Sequence, residues 1–145
     1  MLIKEVMNRG VQTIKKEATI QDAARKMNEF SIGCLIVASG SSVVGIITER
    51  DIMKKVVAEA RDSSKTRVKD VMTEEVVMAS PEMDIEEAAQ LMMDRKIKKL
   101  PVVKDKELIG IVTATDICMA SPKIIEQMGR ILLLPKKGGN KTLAG

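Results

Sequence analysis

The 145-residue chain is 45% hydrophobic and 30% charged, the balance of a folded protein with room for one domain or two half-size units. It has no histidine, tryptophan or tyrosine, one phenylalanine (Phe30) and two cysteines (Cys34, Cys118), and its apolar volume is Ile, Val, Leu, Ala and eleven Met. This excludes histidine-based nucleophilic catalysis, a disulfide framework, a Cys-only zinc site and an aromatic platform for single-stranded nucleic acid, while a net charge of +4 is too mild to mark a DNA-binding surface.

The opening segment MLIKEVMNRG holds Lys4 and Glu5 and no apolar run, unlike a secretory leader. No stretch reaches the roughly 20 apolar residues of a membrane span. A cytoplasmic protein without membrane contact is the expectation. Val11–Ile14 is apolar enough for a strand, and Ile20, Ala23, Ala24 and Met27 fall at helical spacing over Thr19–Glu29. The runs CLIVA (34–38) and VVGII (43–47), joined by Ser-Gly-Ser-Ser, read as a hairpin. A second helix begins near Thr48, and the polar stretch Arg61–Arg67 reads as a linker.

From residue 68 the same pattern starts again. Shifted by 65 residues, 3–52 falls on 68–117 without a gap, and about a third of the positions are identical. Val76–Ala79 is the second short strand, Asp84–Arg95 the helix with Ile85, Ala88, Ala89 and Met92 on one face, and LPVV and LIGIV the hairpin around Lys104-Asp105-Lys106-Glu107. A helix starts near Thr113. Gly45-Ile46-x-Thr48-x-x-Asp51-Ile52 repeats as Gly110-Ile111-x-Thr113-x-x-Asp116-Ile117. The reading is of two similar units packed face to face, each covering apolar surface of the other. Ser121-Pro122 then caps a further helix to about Leu134, stopped by Pro135, with KKGGNKTLAG as a mobile tail. The apolar run ILLLP (131–135) is expected to pack on the paired units or on a second subunit.

Val-Met near each unit's start, Ala-Ala-x-x-Met on the helix, Leu-Pro-Val-Val at Leu100–Val103 and the closing Gly-x-x-Thr-x-x-Asp resemble a tandem pair of CBS domains, a Bateman module, over residues 3–117. The resemblance implies an α/β (α+β) fold of two βαββα units in pseudo-twofold tandem. Its parts would be repeat 1 at 3–58, a linker at 59–67, repeat 2 at 68–120 and a C-terminal helix and tail at 121–145. It implies a stand-alone, non-catalytic regulatory module that binds AMP, ADP, ATP or S-adenosylmethionine, forms a homodimer through a disk and signals to an effector protein.

Position by position, the resemblance implies one pocket per repeat. In the second, Asp116 would hold the ribose hydroxyls, Thr113 and Thr115 would add hydroxyl contacts, Val76, Val77 and Ile97 would line an adenine slot, and Lys98 and Lys99 would meet phosphate. In the first, Asp51, Thr48 and Arg50 correspond, with Val11, Gln12 and Ile32 beside them, and Gly33-Cys34 replaces the lysine pair. The second site is the favoured one. Thr-x-x-Asp also fits a helix capping box, as Thr19-x-x-Asp22 does where the resemblance implies no ribose contact. Two further readings stay open: a vacant interaction scaffold, and weak nucleic-acid binding through the basic tail. Cys34 and Cys118 are expected to be buried and inert, and no metal site is expected.

Overall fold

The structure is a computed structural model that describes residues 1–132. The first half contains α1 (Ile3–Val6), β1 (Thr13–Ile14), α2 (Ile20–Phe30), β2 (Cys34–Ser39), β3 (Ser42–Thr48) and α3 (Glu49–Ile52), the last continuing into a π-helical turn, Met53–Val57. The second contains a 3-10 turn (Val68–Asp70), α4 (Ile85–Arg95), β4 (Lys99–Lys104), β5 (Glu107–Thr113), α5 (Ala114–Ala120), a 3-10 turn (Pro122–Ile124) and α6 (Ile125–Leu132). The elements expected from the sequence form twice in the same order, with one difference at their start. Only Thr13–Ile14 of the first predicted strand pairs, parallel to β2, and Val76–Ala79 reduces to a single bridge, Ala79 to Val102.

Local chemistry fixes the element ends. Thr19 Oγ1 accepts from Asp22 N–H and Asp22 Oδ2 accepts from Thr19 N–H, both at 3.1 Å, so α2 begins in a reciprocal cap. In α4, Asp84 Oδ1 accepts from Glu86 N–H at 2.9 Å. Both hairpins turn in two residues: Gly40 at φ +62° followed by Ser41 in the first, Asp105 and Lys106, both at positive φ, in the second. Each strand pair carries an irregularity at the same place, between Val37 and Ala38 and between Val102 and Val103.

The two units exchange their leading segments. Asn8 pairs with Ile111 of β5, and its repeat mate Thr73 pairs with Ile46 of β3, each through two backbone hydrogen bonds of 2.8–3.0 Å. Ile3 is fully buried in the core of the second unit with Ile85, Met92, Leu100 and Ile117, whereas Val68 and Val71 are buried in the core of the first with Ile20, Leu35 and Ile47. So each unit keeps its own core, completed by the other unit's leading segment, and β3 and β5 lie against each other where the units meet, with Leu108 N–H donating to the Ser41 carbonyl at 2.9 Å. Gly45 and Gly110 allow the crossing. A Cβ on Gly110 would stand 2.8 Å from Met7 Sδ and 3.0 Å from the Asn8 carbonyl, and one on Gly45 would stand 2.7 Å from Met72 Sδ and 3.0 Å from the Thr73 carbonyl.

The predicted linker is part of this exchange. Thr66 is buried, its hydroxyl donates to the Asp62 carbonyl at 2.8 Å, and its own carbonyl accepts from Ile20 N–H at the start of α2. At the other end, Ser121 makes no side-chain cap, so the chain turns through Pro122–Ile124 before α6 begins. Ile124, Met128 and Ile131 bury against α4 and α5, which places the start of the ILLLP run on the second unit. The predicted helix end at Leu134, Pro135 and the tail lie outside the described residues.

Candidate functional site

A cavity of about 330 Å³ opens between the two units. One wall is the first unit's Val11, Gln12, Ser31, Ile32, Gly33, Cys34 and Ile36; the other is the second unit's Lys99, Ile111 and Thr113, with Asn8 and Gly10 of the exchanged segment at one end. The volume lies near the lower bound of small-molecule sites, roughly 300 Å³, and the wall chemistry is of the usual kind, apolar with a few polar groups. Val11, Ile32, Ile36 and Ile111 give the apolar surface, and Lys99 is the charged residue of the lining.

Lys99 is the repeat mate of Cys34, and the two meet: Lys99 Nζ donates to Cys34 Sγ at 3.4 Å. The ammonium of the second unit is thereby held at the first unit's wall. Lys98, at the bend just before β4, is exposed and does not line this cavity.

Thr113 ends β5 and caps α5. Its Oγ1 accepts from Asp116 N–H and Asp116 Oδ2 accepts from Thr113 N–H, both at 3.0 Å, so the half-buried carboxylate is one hydrogen bond from the cavity wall. The box needs one oxygen of Asp116. A carboxylate has two, with about four acceptor positions, so capping and accepting from two vicinal hydroxyls are compatible. Asp51 makes the same box with Thr48, at 3.0 and 3.1 Å, but its Oδ1 also lies 3.6 Å from Lys55 Nζ, which in turn donates to the Val71 carbonyl at 3.0 Å. The repeat mate of Lys55 is Ala120, and among the described residues no ion pair engages Asp116.

The structure therefore groups the candidate residues across the repeats. Val11, Gln12 and Ile32, expected at a first site, face Lys99 and Thr113, expected at a second. The reason is the pseudo-twofold arrangement, which turns the β5–α5 corner of one unit toward the strand entrance of the other. Val77 and Ile97 pack against the second unit's core, Val76 is half-buried, and Thr115 is exposed on the first turn of α5. Thr48, Arg50 and Asp51 sit at the matching corner of the first unit. None of these lines the cavity. Asn8, Gly10, Ser31, Ile36 and Ile111 also line the cavity and were not among the residues expected there. Glycines at 45 and 110, inside strands otherwise rich in Val and Ile, were the available signal that another segment approaches closely there.

Both cysteines are buried, as expected. Burial pushes the Cys118 thiol above its ordinary 9.0. Among the described residues no helix is long and apolar enough to cross a membrane.

The CBS domain family model matches residues 3–58 and 68–123. The chain is 36% identical over 117 residues to the CBS domain-containing protein YhcV of Bacillus subtilis, covering 81% of this chain and 83% of that one. It is 39% identical over 107 residues to the CBS domain-containing protein CBSX3, mitochondrial, of Arabidopsis thaliana, covering 70% of this chain but about half (52%) of that relative. Among solved structures, the CBS domain pair of protein MJ0100 in complex with 5-methylthioadenosine and S-adenosyl-L-methionine superposes with a TM-score of 0.75 at 28% identity, covering 85% of this chain and 97% of that one.

Proposed function

The chain belongs to the CBS-domain family as a tandem pair, a regulatory module, and from that premise we propose that it senses an adenosine-type ligand in the cleft between its repeats. The observation that carries the reading is the pairing of chemistries across the cleft. An apolar slot from the first unit (Val11, Ile32) faces an ammonium and a capped carboxylate corner from the second (Lys99, Thr113, with Asp116 behind it). The base stacks into the slot, Asp116 accepts from the ribose hydroxyls, and Lys99 leaves Cys34 for the anionic or polar end of the ligand. The complex of protein MJ0100 with adenosine compounds supports this ligand class.

Binding across two units favours one arrangement of them, and a partner protein reads that arrangement. The ligand shifts the equilibrium only by its differential affinity for the two states. In this reading the chain performs no chemistry of its own and works in the cytoplasm.

Thermal melts with millimolar AMP, ADP, ATP and S-adenosylmethionine test the proposal. A ligand that binds the native state at about 100 times its Kd adds roughly 2.7 kcal/mol, so at least one should raise the melting temperature. The vacant-scaffold reading has one observation on its side, the engagement of Asp116 by its own helix. No shift with any of the four ligands selects the scaffold.

A further inference from the structure

A smaller hollow, of about 190 Å³, lies where the first unit's hairpin tip meets β5. The first unit supplies Arg9, Thr13, Gly40 and Ser41, and Leu108 of the second unit closes the other side. The joint is fastened at two points: Leu108 N–H donates to the Ser41 carbonyl at 2.9 Å, and Asn8, the neighbour of Arg9, pairs with Ile111. Val11 is common to this hollow and the cleft cavity, so the two are neighbours. The polar side chains of the hollow are donors without an acceptor. Among the described residues no carboxylate lines it, no ion pair engages Arg9, and the hydroxyls of Thr13 and Ser41 make no hydrogen bond. A guanidinium is a planar fork of N–H donors that matches the edge of an oxoanion, and a hydroxyl can add a further donor. The volume falls below the roughly 300 Å³ at which drug-sized ligands begin to fit, and suits a small tetrahedral anion.

The other repeat serves as the control. At the matched positions of the second unit, Arg9 is replaced by Glu74, Thr13 by Met78, Gly40 by Asp105 and Ser41 by Lys106. The backbone is the same at the turn, where Gly40 and Asp105 both take the left-handed conformation, at φ +62° and +51°. A corner that carries two carboxylates in the second unit therefore carries a guanidinium, a glycine and two hydroxyls in the first. Carboxylates repel an anion, whereas the first unit's set attracts one.

We propose that this hollow is an oxoanion site that takes a phosphate group, held by the Arg9 guanidinium and the hydroxyls of Thr13 and Ser41. Arg9 belongs to the leading segment that reaches β5, and Ser41 to the hairpin tip fastened to β5. An anion between them ties the two units at their joint. The site is distinct from the cleft and does not depend on a nucleotide binding there.

Inorganic phosphate titrated into the full chain at constant ionic strength, followed by amide NMR, tests it. The amide shifts of Arg9, Gly40 and Ser41 should saturate together. Arg9→Gln and Gly40→Asp should each raise the phosphate Kd at least tenfold with an unchanged far-ultraviolet circular dichroism spectrum. The second of these imports the residue that the other hairpin already carries at a similar backbone angle. Arg61→Gln, the same charge change at another exposed position, should leave the Kd unchanged. If Gly40→Asp disturbs the fold, Arg9→Gln decides. AMP added at saturating phosphate separates the two sources of the anion. AMP that displaces phosphate and shifts the same amides identifies the phosphoryl group of a nucleotide, and phosphate left in place identifies the free anion; both support the site. Shifts that rise without saturating, that saturate around Lys99 and Cys34 instead, or whose Kd ignores Arg9→Gln overturn it.

Discussion

The two repeats make an internal experiment in which the backbone plan is held fixed and the surroundings vary. Each has a hairpin with the same bulge, a helix with a buried methionine (Met27, Met92) and a second helix opened by a Thr-Asp box. They differ in what lies outside that plan. Among the described residues, α6 roofs the second unit and no ion pair engages its Asp116, while no helix covers the first unit's helix side and its Asp51 faces Lys55. A matching motif is therefore not a matching environment: Asp51 is met by a neighbouring cation, and among the described residues its twin Asp116 is not.

This comparison breaks most visibly at α6. Met128 is fully buried in the second core, so Met128→Ala should cost roughly 2–5 kcal/mol in urea unfolding. Ile125→Ala, at a half-exposed position of the same helix, should cost less than about 1 kcal/mol. Equal costs would mean that α6 does not roof the second unit.

The two carboxylates sharpen it next. If adenosine nucleotides bind, Asp116→Ala should lose about 1.5–3 kcal/mol of affinity by calorimetry, roughly ten- to hundredfold, as expected for hydrogen bonds to a charged group. Asp51→Ala should lose far less, since its Oδ1 faces Lys55. The glycines test what the repeats share. Gly45→Ala and Gly110→Ala should each destabilise by about 1–3 kcal/mol, because the added methyl meets a backbone carbonyl at 3.0 Å in both. Unequal effects would mean that the exchange is not symmetric.

The smallest effect concerns the exposed cap of α2. Hydrogen bonds from Thr19 hold the Asp22 carboxyl below its ordinary value of 3.8. A lowered folded-state value stabilises the fold above pH 3.8 and the contribution fades as pH falls through the lowered value. Asp22→Asn should therefore slightly flatten the acid limb of the melting profile and leave the neutral region almost unchanged. Titration by NMR, following the Asp22 carboxyl, checks the direction.

Most of the secondary structure was legible because short-range rules decide it. The spacing of Ala23 and Met27, the Gly40-Ser41 turn and the 65-residue self-match each depend on nearby residues or on direct comparison. The exchange of leading segments was not legible. Alignment places Met7 and Gly45 in one repeat, and nothing local shows that Met7 rests on Gly110 instead. The same blindness grouped Lys99 with Val76, Val77 and Ile97 rather than with Val11 and Ile32, since a pseudo-twofold axis joins residues far apart in sequence. Ala24 was expected on one helix face with Ala23 and Met27 and is exposed, because among the described residues the helix that buries its mate Ala89 has no counterpart on the first unit.

Cocrystallisation with AMP tests the central claim most directly. The account predicts the adenine between Val11 and Ile32, the ribose hydroxyls on Asp116 and the Lys99 ammonium drawn off Cys34 toward the phosphate. Saturating AMP that leaves Lys99 on Cys34 and the cavity filled only with water, or that is bound elsewhere on the chain, would contradict it.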